Sequence, residues 1–227
     1  MPTTYAHYKF GKEVLSALPR PLQNSIEAHR ELFDIGLHGP DILFYYNALK
    51  KDPVNEQGHT LHEQFADEFF HHAVEVIEKA KDPAAARAYI YGFICHFALD
   101  SECHPYVEKI MQVGRVSHNE IEMELDRMML TEDYHDPLRY LTAKHIQPKM
   151  EYAEVIAPFF KDVTAEQIYK ALKGMVFYHK LFLAPTSGKR KALFLGMKAV
   201  GKYDSLHDIV MSVKPDPLCQ KYCKVLK

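Results

Sequence analysis

The chain has 227 residues, 47% hydrophobic and 26% charged, with a net charge of −2. That length buries a full core in a single domain, 1–227, and the near-neutral balance gives no reason to expect a nucleic-acid partner. No apolar run reaches the roughly 18–20 residues of a membrane-spanning helix. The start, Met1 to Gly11, lacks the basic and apolar regions of a signal peptide, so a cytoplasmic location is expected.

The chain reads as helix nearly throughout, an all-α fold. Thr3 or Thr4 N-caps a first helix to about Leu18, where Pro19 and Pro21 interrupt. A second helix covers about 22–36, and Gly36 to Tyr46 turns the chain into a short helix or coil ending near Leu49. Lys50 to Gly58 reads as a loop. A long helix is expected from about His59 to Lys81, and Pro83 at N1 opens the next. Pro105 disfavours helical geometry at His104, so that helix is expected to end there.

Beyond Asp126, Asp136-Pro137 reads as the N-cap and N1 of another helix, and Gln147-Pro148 as a break. Thr164 with Gln167 forms a capping box for a helix to about Leu183. A basic helix from Lys189 to about Gly201 and a short C-terminal helix after Lys214-Pro-Asp-Pro complete the chain. No stretch alternates at period two and no internal repeat is visible.

The chemistry concentrates between residues 92 and 126. His96, Asp100 and His104 stand at i, i+4 and i+8, on one helix face, and His118 and Glu122 repeat the spacing on the following helix. Imidazole and carboxylate are zinc ligands, and five of them on two neighbouring helices can hold more than one ion. A buried His–Asp pair can also simply satisfy itself by hydrogen bonding. Ile94, Phe97, Ala98 and Leu99 make the stretch apolar, which directs Asp100 inward, where a carboxylate is costly unless paired or metal-bound. Metal is the favoured reading.

The four cysteines read as free thiols of a reducing compartment. Cys95 is assigned to packing, Cys103 is a weaker ligand candidate, and Cys219/Cys223 have no second pair nearby in sequence. His38 is read as a loop residue and His71-His72 as a solvated face. Tyr45, Tyr46, Phe93 and Phe97 are read as core or, alternatively, as the wall of a substrate pocket. His135-Asp136 and His207-Asp208 keep an HD-type metal phosphohydrolase in view as an alternative.

With His7 in the first helix, Asp41 in Gly-Pro-Asp and His62 in Gly58-His-Thr-Leu-His, the linked order resembles the zinc-dependent phospholipase C family, related in fold to P1-type nucleases. His59 competes with His62, which is preferred. The resemblance covers about residues 1–126 by motif. It implies an all-helical fold and two or three zinc ions. One ion would be held by Asp41, His62, His96 and Asp100, and a second by His104, His118 and Glu122. A third would lie among His7, a bridging Asp100 and the chain's own N-terminal amine and carbonyl.

The implied activity is hydrolysis of phosphate esters, phospholipase C-like cleavage of phosphodiesters by metal-activated water. Asp41 is the candidate to orient or deprotonate that water, and Glu120, Glu124 or Asp126 are candidates to fix histidine tautomers. The substrate is a small phosphate ester or a phospholipid. The rival reading is a non-catalytic, zinc-stabilised helical domain that binds a partner.

Overall fold

The structure is a computed structural model that describes residues 4–114 and 116–226. Among these residues it is helical throughout, with no strand. The expected capping residue Thr3 lies outside the described residues, and α1 runs over Thr4–Ala17. The second expected helix is two, α2 (Arg20–Glu27) and α3 (Arg30–Gly36), because the chain tightens at His29, whose φ of −131° is not helical. A 3-10 turn over Gly39–Tyr45 follows.

Two expectations in the next segment are overturned. Instead of a loop over 50–58, α4 (Pro53–Glu63) begins at Pro53, because Asp52 caps it: its side chain accepts from Val54 N at 3.0 Å, and Asn55 Oδ1 accepts from Asp52 N at 3.1 Å. Pro53 is at N1, where it opens a helix rather than breaking one. The long helix expected from His59 is divided at Gln64 and Phe65, both extended, and α5 runs over Ala66–Lys79.

Helix α6 (Pro83–Gly114) starts where expected, with Asp82 accepting from Ala84 N and Ala85 N at 3.0 and 3.1 Å. It does not stop at His104. It continues through Pro105 because the next turns bury Val107 and Ile110 beside Ile121, Leu125 and Cys223, contacts that offset the missing N–H. Helix α7 (His118–Glu132) opens with a capping box between Ser117 and Glu120. Asp136-Pro137 starts only one turn: Asp136 accepts from Leu138 N at 2.9 Å, and no helix follows.

The remaining helices are α8 (Met150–Ile156), α9 (Ala165–Phe182), α10 (Ser187–Ala199), α11 (Tyr203–Leu206) and α12 (Pro217–Leu226). The Thr164–Gln167 box is formed, at 2.8 and 3.3 Å.

The chain divides into two compact units. One comprises His7–Ala98 and Ala143–Tyr178. Its core gathers Leu32, Ile35, Tyr89, Phe93, Phe159 and Leu172. Here α3 and α6 touch backbone to backbone: a Cβ on Gly36 would lie 2.1 Å from Tyr89 O, and one on Gly92 2.2 Å from Phe33 O. Only glycine permits that approach, and it brings the 3-10 turn against α6. The other unit comprises Met1–Ala6, Leu99–Thr142 and His179–Lys227. Its larger apolar cluster joins Ala6, Val107, Ile110, Ile121, Leu125 and Cys223. There, Asp126 accepts from Tyr5 N and Ala6 N, at 3.1 and 2.9 Å, and so caps the start of α1.

Candidate metal centre

The first cluster lies in the unit built on His7–Ala98. Asp41, His62 and His96 present ligand atoms all within 4.8 Å of one another. Asp41 is buried at the start of the 3-10 turn, where its N–H donates to His38 O at 3.0 Å. His62, in the last turn of α4, stands with Nδ1 2.7 Å from Gly58 O and Nε2 2.9 Å from Asp41 Oδ1. A carbonyl only accepts, so Nδ1 carries the proton, and a neutral ring turns its Nε2 lone pair toward the carboxylate. Both Asp41 carboxylate oxygens are buried, and neither has a hydrogen-bond partner. Lone pair facing carboxylate is what a divalent cation reconciles, so this donor set fits zinc.

His96, buried on α6, is fixed from two sides. His7 stacks on it with ring centroids 4.5 Å apart, and Gly39, at φ +47°, leaves room for its ring: a Cβ there would lie 2.2 Å from His96 Cδ2. His59, the competitor of His62, is exposed and stacks on Phe44 at 4.4 Å.

The second cluster lies in the other unit. His104, His118 and Glu122 also bring ligand atoms within 4.8 Å of one another. His118 Nε2 donates to buried Glu122 Oε1 at 2.6 Å, and the His104 and His118 rings meet edge to face at 5.4 Å. A cation held by this pair would take the place of the Nε2 proton. Asp100, buried on α6 one turn beyond His96 and one turn before His104, has Oδ2 3.6 Å from His104 Nε2. The N-terminal amine expected to complete a third site belongs to Met1 or Pro2, outside the described residues.

Asp100 faces inward as expected, but not because its neighbours Ile94 and Phe97 are buried. Asp100 is buried, yet Ile94 and Phe97 are 43% and 41% exposed. On this stretch of α6 His96 and Asp100 share the buried side with Phe93 and Cys95, and Ile94 and Phe97 take the outer one. Tyr45 and Phe93 are core residues. Burial, and then the charges of Asp100 and Glu122, push the Cys103 thiol up, while burial drives Cys219 and Cys223 up to about 12. All three thiols are thereby kept protonated.

The groups considered for fixing histidine tautomers have other partners. Glu120 Oε2 accepts from Ser117 N at 2.7 Å, Glu124 Oε1 from Arg127 Nε at 2.8 Å, and Asp126 from the start of α1. His207 Nε2 lies 3.0 Å from Asp208 Oδ1, and His135 stacks on Tyr140. Neither His-Asp dipeptide joins a group of three metal-capable side chains among the described residues.

One feature was invisible in the sequence. His38 lies in the turn between α3 and the 3-10 turn, as expected of a loop residue, but it is buried, its Nε2 2.7 Å from His145 Nε2, with Tyr8 stacked on His145 at 4.0 Å. The pair ties the residue that receives Asp41 N–H to the neighbour of His7. No sequence signal joins positions 107 residues apart.

The described residues are all-helical without a strand, and their helices carry groups of imidazole and carboxylate that could hold a metal ion. The sequence profile of the family described as zinc dependent phospholipase C matches residues 6–174, and the chain belongs to that family. No curated protein and no solved structure shows significant similarity to it.

Proposed function

We propose that the chain is a zinc-dependent hydrolase of phosphate esters that cleaves phosphodiesters as phospholipase C enzymes do. The observation that carries this reading is the Asp41–His62 contact, a lone pair set against a buried carboxylate whose other oxygen has no hydrogen-bond partner. Asp41, His62 and His96 would hold one ion, and His104, His118 and Glu122 a second. His7, stacked on His96, would serve a third. Zinc, when bound, supplies Lewis acidity toward phosphoryl oxygens and lowers the pKa of water.

The chain's own residues supply position and a base. Asp41 Oδ2 accepts the proton of the attacking water as its oxygen bonds to phosphorus and the bond to the alkoxide leaving group breaks. Gly58 O holds His62 in one tautomer, and His7 and Gly39 hold the His96 ring. Residues 1–227 act as one domain in this reading.

The test is elemental analysis of protein purified without chelator or affinity-tag metal, with turnover of phosphatidylcholine and of a soluble phosphodiester. Two or three zinc ions per chain, and turnover lost on chelation and regained on reloading, are the expected results. Zinc without turnover of any phosphate ester would favour the binding-domain alternative. A folded chain that takes up no zinc would overturn both.

A further inference from the structure

We propose that the outer face of α10 docks the chain onto an anionic lipid surface. The chain as a whole balances 28 basic against 30 acidic residues, yet from Lys180 to Lys202 there are six basic residues and no acidic one. Two of the six are used internally. Lys189 Nζ donates to Lys180 O and Leu183 O at 2.9 and 2.6 Å, closing the end of α9, and Arg190 donates to Ala184 O and Met211 O. The others, Lys180, Lys191, Lys198 and Lys202, are exposed and have no acidic partner among the described residues. Lys198 lies over the Tyr203 ring at 4.8 Å.

The same face carries apolar side chains where a solvated face would carry none. Helix α10 turns Leu193, Phe194 and Met197 inward; Leu195, on the far side, is exposed, and so are Lys191 and Lys198, which stand beside it on the flank of the helix. Leu195 is 70% exposed, and Val200, just past the helix, 64%. Gly188 and Gly196 have nothing within 4 Å of where a Cβ would stand, so the surface between the lysines is low and open.

Aliphatic side chains among lysines suit the boundary between headgroups and acyl chains. They suit nucleic acid poorly: the exposed cations include no arginine fork for phosphate or base edges, and the exposed apolar groups include no aromatic ring on which a base could stack. Docking here leaves the metal side clear. Arg190 and Phe194 line a cavity of about 420 Å³ with Glu120 and Met123 of α7, whereas His118 and Glu122 lie on the other side of α7.

The experiment is co-sedimentation of the full chain with phosphatidylglycerol–phosphatidylcholine vesicles and with pure phosphatidylcholine vesicles, at low and high salt. Binding should favour the anionic vesicles and weaken as salt rises. The triple variant K191Q/K198Q/K202Q should lower partitioning on the order of 100-fold. Leu195→Ser should lower it less, by a factor that salt does not change. A control triple, K50Q/K81Q/K161Q, has the same net charge and should bind as the parent does. Equal binding to both vesicle types, or equal loss in both triples, would overturn the proposal. The measurement needs no turnover, so it stands or falls apart from the hydrolase reading, and a soluble phosphodiester should be turned over equally by the docking variant and its parent.

Discussion

The imidazole of His62 bridges Gly58 O, 2.7 Å from Nδ1, and Asp41 Oδ1, 2.9 Å from Nε2, so in the neutral ring the protonated nitrogen faces a carbonyl and the lone pair a carboxylate. Without a cation between them the pair is repulsive unless the ring is protonated. Asp41→Asn keeps the shape and lets an amide donate to that lone pair. Metal-free Asp41→Asn should therefore be at least as stable as the metal-free parent, by up to about 1 kcal/mol. With zinc the order should reverse, since the variant forfeits stabilisation that grows as RT ln(1 + [Zn]/Kd). Urea titrations of both proteins with and without zinc check this. A metal-free variant weaker than the parent would show that the carboxylate is stabilising without an ion.

That contact also marks how far the sequence could be read. His96, Asp100, His104, His118 and Glu122 were visible because helical periodicity places them together, and the helices exist. Asp41 and His62 are on different elements, and only the family resemblance linked them. The segment between them reads as a loop by composition, but Asp52 caps a helix there with Pro53 at N1. The end of α6 was misread because the local penalty at Pro105 is outweighed by burial of Val107 and Ile110, which depends on residues in α7 and α12. The His38–His145 pair is set wholly by tertiary packing, and periodicity carries no trace of it.

Gly39 should be intolerant of any side chain. Its φ of +47° makes an L residue costly by about 1–2 kcal/mol, and a Cβ would stand 2.2 Å from the His96 ring. Gly201 has φ +67° but nothing within 4 Å of its Cβ position. Gly201→Ala should cost only the backbone penalty, about 1 kcal/mol, whereas Gly39→Ala should add roughly 1–3 kcal/mol for overpacking. The latter should also weaken zinc binding at the Asp41 cluster by displacing His96. Denaturant midpoints with equal m-values, and zinc competition against a chromogenic chelator, separate the two effects. Equal costs at the two glycines would refute the crowding argument.

Arg127 and Glu124 form a buried pair on α7, 2.8 Å apart with each side chain 6% exposed, and Arg127 also donates to the Ser212 backbone. Arg127→Met should cost about 3–5 kcal/mol, because it leaves a buried carboxylate without its counter-charge. Adding Glu124→Gln should restore a large part of that loss, giving a coupling of about 1–3 kcal/mol in the double-mutant cycle. Additive losses would mean that Arg127 acts through Ser212 and not through the charge of Glu124.

His179 gives the fold a pH dependence of known sign. Burial lowers its pKa from the usual 6.5 to about 4, and its ring lies between Thr142 Oγ1, 2.9 Å from Nδ1, and Thr4 Oγ1, 3.4 Å from Nε2. The folded chain keeps this imidazole neutral, while the unfolded chain protonates it below about pH 6.5, so the unfolded state binds the extra proton. Above pH 6.5 the group contributes no pH dependence. As pH falls from 6.5 toward 4 it removes stability, by up to about 1.4 kcal/mol per pH unit and on the order of 3 kcal/mol in all. Urea unfolding of the metal-free chain at intervals across that window should show the decline, shallower in His179→Gln by the share this residue supplies. Parallel curves for parent and variant would place the proton uptake on other residues.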